Sequence, residues 1–166
     1  MADIVDAPTR SRMMRGIRGK NTRPELAIRQ ALHARGFRFR LHDRKLPGAP
    51  DLVFPKFRAV LFVHGCFWHG HGCHMFRWPA TRTEFWRAKI SRNQEVDARA
   101  VAALGAGGWR VAEVWECALR GSRRRSIDDI AASLAHWLAS DAPRLEIPDA
   151  DDLNLDDGAS FGDDLC

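Results

Sequence analysis

Leu61-Phe62-Val63-His64-Gly65-Cys66-Phe67-Trp68-His69-Gly70-His71-Gly72-Cys73 begins as an apolar strand and ends in a short segment crowded with metal-capable and aromatic side chains. Cys66, His71 and Cys73 offer two thiolates and an imidazole, and Cys117 lies well downstream. Together they form a natural set for a tetrahedral structural Zn2+, which would pin two distant segments. The plainer reading is adventitious metal binding by a loop rich in glycine and histidine. His64 and His69 fall outside that set, and Phe67-Trp68 is a bulky pair that a tight loop cannot easily bury in its own core. Spare imidazoles and projecting aromatics point to chemistry and contact; the alternative is that the aromatics are ordinary core residues.

Working outward, Leu52-Val53-Phe54 and the run Ala59 to Val63 are separated only by Pro55-Lys56-Phe57-Arg58, close enough to pair as a hairpin. Such pairing brings Asp51, at the start of one strand, beside Val63 and His64 at the end of the other. A carboxylate next to a strand-end carbonyl can hold Mg2+, a hard cation with a preference for oxygen. Metal-bound water beside an imidazole is a hydrolytic pair. An Asp that follows a Pro at a strand start is equally a turn residue, and both readings stand at this point.

Upstream, Thr22-Arg23-Pro24-Glu25 reads as a capping box that opens a helix running to about Ala34 and stopping at Gly36. Capping alone accounts for Glu25. Phe37-Arg38-Phe39-Arg40-Leu41 alternates with period two, as a half-buried strand does. Residues 1–20 read as a basic arm carrying Met13 and Met14, or equally as a disordered basic tail that would still bind phosphates.

Downstream, a long helix is expected from near Glu84 to just before Gly107, with Phe85, Ile90, Val96, Val101 and Leu104 as its inner face. Trp86, Lys89, Arg92 and Asn93 share the polar face, where a tryptophan can stack on or wedge between bases, although a helical tryptophan is equally a core residue. Asp97, one turn beyond Asn93, either orients a histidine or pairs with Arg92 or Arg99. Trp109 to Trp115 is a further strand that ends at Glu116-Cys117. Arg120 to Arg125 is a basic loop, and Ser126 caps a last helix to about Ala139. Beyond Pro143 the acidic segment shows no core-forming pattern and reads as a disordered tail. The element order implies an α/β sandwich around a small mixed sheet.

The totals agree with one domain. At 166 residues the chain can bury a core without disulfides. No apolar run approaches the roughly 20 residues that span a bilayer, and no signal peptide is evident, so the expectation is a cytoplasmic protein with reduced thiols. Net charge is +5, but residues 1–145 carry all 26 Lys and Arg against 13 acidic residues, a net +13. A basic body suits a polyanion, with nucleic acid the leading candidate.

Asp51, the run His64 to His69, Pro79-Ala80-Thr81-Arg82-Thr83-Glu84-Phe85-Trp86 and Val114-Trp115-Glu116-Cys117-Ala118-Leu119-Arg120-Gly121 occur in this order, and with them the chain resembles the very short patch repair (Vsr) endonucleases. The resemblance spans approximately residues 8–140 and leaves out the acidic tail. It implies a restriction-endonuclease-like α/β sandwich with helices flanking a small mixed sheet. The activity implied is Mg2+-dependent nicking of duplex DNA on the 5′ side of the thymine in a T:G mismatch, the product of 5-methylcytosine deamination. Asp51 then corresponds to the metal-binding aspartate, with Val63 adding its main-chain carbonyl. His69 corresponds to the histidine that acts on the attacking water, with Glu25, His64 and Asp97 around it. Cys66, His71, Cys73 and Cys117 correspond to the structural zinc ligands. Phe67, Trp68 and Trp86 correspond to the wedge aromatics, and Met14 to an arm residue that reaches the minor groove. Lys89, Arg92 and Asn93 are candidates for base-edge contacts.

Related nucleases carry Glu-x-Lys where this chain has Phe62-Val63-His64, so His64 and His69 must stand in for the lysine. The expected organisation is an arm (1–20), an endonuclease domain (21–142) and a tail (143–166). The expected protein is a monomer associated with the bacterial nucleoid, working with mismatch-repair proteins and a repair polymerase. Two other classes fit the same residues: a zinc-stabilised DNA-binding module without catalysis, and a hydrolase whose zinc is itself catalytic. The second is disfavoured because four protein ligands leave no open position for water.

Overall fold

Leu52–Phe54 (β2) and Ala59–His64 (β3) pair antiparallel with Leu52 opposite Leu61 and Phe54 opposite Ala59, as expected for the hairpin. The computed structural model describes residues 6–9 and 20–151, so most of the expected arm, Met14 included, lies outside the described residues. A helix α1 (Arg23–Ala34) precedes the short strand β1 (Arg40–Leu41), and a long helix α2 (Thr83–Ala106) follows β3. Strand β4 (Arg110–Trp115), the single turn α3 (Glu116–Leu119), helix α4 (Ile127–Ala139) and strand β5 (Arg144–Ile147) complete the chain. The five strands lie in the order β1-β2-β3-β4-β5, with β3, β4 and β5 parallel. The sheet is therefore small and mixed, in the α/β class.

Strand alternation divides the core in two. Leu52, Phe54, Leu61, Ala112 and Val114 face α1 and α4, meeting Ile28, Leu32, Ile130, Leu134 and Leu138. Val53, Val60, Phe62 and Val111 face the other way, toward Leu104 of α2. That second face carries the candidate site residues, because His64 continues the Val60 and Phe62 row and Glu113 and Trp115 continue the Val111 row.

Three expectations change. Only Arg40 and Leu41 join the ladder, because the Phe37 amide turns back to the Leu32 carbonyl at 3.1 Å to close α1. Phe37 and Phe39 still pack on the core through Phe54. The inner face of α2 is Ile90, Ala100 and Leu104, whereas Phe85 and Val96 are 45% and 51% exposed. Five residues before and six after Ile90, those two fall on the opposite side of a 3.6-residue helix.

The acidic tail does not begin at residue 143. Arg144–Ile147 extends the sheet beside β4, and Ile147 is buried against the main core. Trp115 Nε1 donates to Glu146 Oε1 at 2.7 Å, and Asp149 is tied to His74 at 2.7 Å. The folded unit runs at least to Asp151, whose carboxylate pairs with Arg123 at 2.9 Å. Four residues of strand inside an acid-rich stretch are too short for composition to reveal, and only the open edge of β4 gives them a partner.

Removing the Ile147 side chain beyond Cβ leaves a cavity in the main core, so Ile147→Ala should cost about 2–5 kcal/mol of unfolding free energy in urea titrations. A loss within measurement error would mean that β5 does not hold the domain together.

Candidate functional site

The loop between β3 and α2 carries two clusters on its two sides. On one side, Cys66, His71, Cys73 and Cys117 place one ligand atom each within 4.8 Å of all the others. Sγ of Cys66 and of Cys117 lie 3.6 and 3.5 Å from His71 Nδ1. A tetrahedral ion with bonds of about 2.3 Å to sulfur and about 2.0–2.1 Å to nitrogen separates those atoms by about 3.6 Å, so the four groups already have the shape of a metal cage. The cage is chemically primed as well. A hydrogen bond from the Cys66 thiol, reinforced by His71, pulls Cys117 down to about 5 against the effect of burial. The same sharing pushes Cys66 up. One thiolate is thus favoured before any ion arrives.

On the other side stand imidazoles and carboxylates. His69 Nδ1 lies 2.5 Å from Asp97 Oδ2, so its ring presents Nε2 outward. The His64 and His69 ring centroids are 4.1 Å apart. Asp51, Val63, His64 and His69 line one cleft of about 300 Å3. Asp51 Oδ2 accepts a 2.7 Å hydrogen bond from the Val63 amide, which fixes the carboxylate at the end of β3. Burial holds the Asp51 carboxyl above the ordinary range, with Glu25 adding to this and the Val63 amide, His64 and His42 opposing it.

Glu25 closes the capping box and also lies beside Asp51. Thr22 Oγ1 accepts from its amide, while its own carboxylate accepts from the Asn21 amide at 2.9 Å and contacts Arg29 and His42. His42 Nε2 sits 2.6 Å from Glu25 Oε1, and Glu25, His42 and Asp51 form a second group able to hold a cation. His42 has no motif around it in the sequence. Its backbone amide bonds to the Asp51 carbonyl at 3.1 Å, a contact made through β1 and β2, and only that pairing brings it in.

Helix α2 staples the loop. Asn93 Nδ2 donates to the Trp68 carbonyl at 2.8 Å, and Gln94 Nε2 donates to the carbonyls of His69 and Gly70. Gly70 has a φ of +62°, and a Cβ there would come within 2.6 Å of Gln94 and Ile90, so the staple needs glycine. Asn93 therefore faces the loop and spends its amide on the backbone, where the sequence suggested a base-edge contact. Lys89 and Arg92 remain exposed, and Lys89 Nζ sits 5.8 and 5.9 Å from the Trp68 and Trp86 rings. Phe67, Trp68 and Trp86 form an edge-to-face group with centroids 5.2–5.9 Å apart, half-buried and outside every core cluster.

Two further residues were not singled out by the sequence. Trp115 stacks on His71 at 4.1 Å and lies 5.1 Å from the His64 ring, between the cage and the cleft. Glu113, in the middle of β4, is buried with Oε1 3.3 Å from His64 Nε2 and Oε2 2.7 Å from Arg144 Nη2. Burial opposes its ionisation, but the hydrogen bond and charge of His64 and the charge of Arg144 outweigh that and hold the carboxyl below the ordinary range. The clue in the sequence is a lone carboxylate inside an otherwise apolar strand.

A family model for the DNA mismatch endonuclease Vsr matches residues 2–75. A type II nicking enzyme from Xanthomonas oryzae is 55% identical over 72% of this chain and 88% of its own length. The DNA mismatch endonuclease Vsr of Escherichia coli is 44% identical over 89% of this chain and 94% of its own. A type II nicking enzyme from Neisseria meningitidis is 42% identical over 72% and 86%.

Because burial lifts Asp51 above 3.8, its ionised form costs stability. That cost builds as pH rises from the unfolded-state value through the raised folded value and is fully present above it. In protein without added Mg2+, Asp51→Asn should therefore raise the thermal midpoint at neutral pH and leave it unchanged in acid below the ordinary carboxylate range, where both side chains are neutral. A midpoint at neutral pH that stays put or falls would show that the carboxylate carries no such penalty.

Proposed function

The chain belongs to the Vsr family of DNA mismatch endonucleases, and from that premise we propose that it nicks duplex DNA on the 5′ side of the thymine in a T:G mismatch, with Mg2+ at Asp51 and a structural Zn2+ in the Cys66, His71, Cys73 and Cys117 cage. The observation that carries this reading is the convergence of Asp51, His64 and His69 on one cleft, next to an aromatic group that the core does not use.

Asp51, the Val63 carbonyl and the nearby Glu25 would offer the hard oxygen donors that Mg2+ prefers, with the His42 imidazole beside them. A cation held there supplies positive charge against the charge developing on the phosphate. His69, held by Asp97 through Nδ1, takes a proton from the attacking water at Nε2. His64, whose ring lies 4.1 Å from that of His69, supplies the second imidazole where related nucleases place a lysine. Lys89 and Arg92 hold DNA phosphates or base edges beside the wedge. A mismatched step costs less to unstack than a paired one, so a wedge of Phe67, Trp68 and Trp86 draws selectivity from the weakness of the lesion.

The zinc assignment rests on ligand softness and on cage size. All four positions are filled by the protein, which suits a structural ion and leaves the chemistry to the neighbouring cleft. Among the described residues no helix is long and apolar enough to cross a membrane. The setting that fits is the bacterial cytoplasm at the nucleoid, with a monomer acting ahead of a repair polymerase and alongside mismatch-repair proteins.

Labelled duplexes carrying a T:G mismatch in varied contexts, compared with paired controls with and without Mg2+, test the reading. Nicking should require both mismatch and metal, and Asp51→Ala should abolish it, by about 10²-fold or more, while mismatch affinity persists. Nicking that survives Asp51→Ala would overturn the site assignment.

Elemental analysis of purified protein should find one zinc per chain. Cys117→Ala, or strong chelation, should release it and lower the thermal midpoint, since structural zinc contributes directly to folding. An unchanged midpoint with the metal gone would remove the structural role.

A further inference from the structure

Glu113 does not fit the role of a core residue. It sits in β4 between Ala112 and Val114, only 8% exposed, on the sheet face that turns toward α2. A buried carboxylate is costly, and replacing a purely structural buried ion pair by apolar side chains is often neutral or favourable. Here both oxygens are occupied: Oε1 by His64 at 3.3 Å, and Oε2 by Arg144 of β5 at 2.7 Å. A neighbouring contact keeps β5 in place, since Glu146, opposite Glu113 in the register, accepts the Trp115 indole N–H.

An ionised carboxylate only accepts hydrogen bonds, so the nitrogen of His64 facing it must carry the proton. His69 is held the other way round, with its Nδ1–H on Asp97. The two rings, 4.1 Å apart, are thus gripped from different elements in opposite tautomers, which leaves the lone pair on Nε2 of His69 and on Nδ1 of His64, both of them residues that line the cleft. We propose that Glu113, fixed by Arg144, is a positioning residue that holds His64 in its Nε2–H tautomer with Nδ1 toward the cleft shared with Asp51 and His69. The proposal rests on the reading of His64 as half of the catalytic imidazole pair.

Glu113→Gln is the test, because Arg144 makes its outcome directional. The guanidinium only donates, so it will hold the amide oxygen and turn the NH2 toward His64 Nε2, which must then accept. Long-range nitrogen–proton NMR on the free protein should show His64 as Nε2–H in the wild type and as Nδ1–H in Glu113→Gln, with His69 unchanged. Single-turnover nicking of a T:G duplex should fall by about 10–100-fold, the usual effect of losing such an orienting partner. Mismatch affinity should stay within about twofold, which separates positioning from binding.

An unchanged His64 tautomer in the variant, or a nicking rate within about twofold of wild type, overturns the proposal. If Glu113→Gln does not fold, Arg144→Met at the half-exposed end of the same chain of contacts replaces it. Loss of a single His64 tautomer, with a smaller drop in rate, then supports the proposal, and wild-type spectra and rate overturn it. A wild type that nicks no T:G duplex would instead defeat the function proposed above, and the tautomer readout would still decide the role of Glu113.

Discussion

Parallel pairing of β3 with β4 is the constraint from which the site follows. It sets His64 opposite Trp115, and two residues beyond each it brings Cys66 and Cys117 together, with the Cys117 amide 3.3 Å from the Cys66 sulfur. Both strands deliver their carboxyl ends to the same edge, the place where parallel sheets collect function. The loop that leaves β3 must then turn back past β4, and its two remaining ligands, His71 and Cys73, complete the cage. A shift of one residue in that register would put His64 and Glu113 on opposite faces of the sheet and part the two cysteines at once.

The site costs stability that the two apolar faces have to offset. Glu25, His64 and Glu113 are buried, and Asp51 is nearly so. Each survives because a specific neighbour answers it: Arg29 and His42 for Glu25, the Val63 amide for Asp51, Arg144 and His64 for Glu113. Most of these partners come from elements distant in sequence. The polar face can therefore form only after β1, β2 and β5 have docked on the central pair, so its order depends on packing achieved elsewhere.

How much of this the sequence discloses depends on the range of the interaction. The hairpin, the capping box, the long helix and the cysteine and histidine set were legible because each is written within a few residues or in an unusual side-chain type. Asp51 beside Val63 was legible because a four-residue connection permits one register. His42, Glu113 and β5 were not, since each acquires its role across the sheet. His42 looks like any loop histidine until Asp51 pairs with its backbone. Glu113 looks like an interruption until His64 arrives from β3. Arg144-Leu145-Glu146-Ile147 has the alternation of a strand but is outweighed by the acidic residues that follow it. Asn93 illustrates the same limit: the helical period gives its face, but the partner that the structure gives its amide on that face is the Trp68 carbonyl of a loop distant in sequence.

The loop staples also bear on how a mismatch can be selected at all. Stacking an aromatic side chain on a base contributes about 1–3 kcal/mol, and unstacking a step costs a few kcal/mol. The two nearly cancel, so the outcome turns on what else the encounter must supply. Were Phe67 and Trp68 on a mobile loop, ordering each would cost about 0.5–1.5 kcal/mol more, enough to reverse the balance at a mismatch as well as at a paired step. Asn93, Gln94, Asp97 and the cysteine cage hold that loop before DNA arrives, and Trp86 braces both aromatics from α2. With the ordering cost met in folding, the term that still varies from site to site is the strength of the step being opened. If Phe67, Trp68 and Trp86 form the proposed wedge, the cage would support recognition as well as stability, although none of its ligands belongs to that aromatic group.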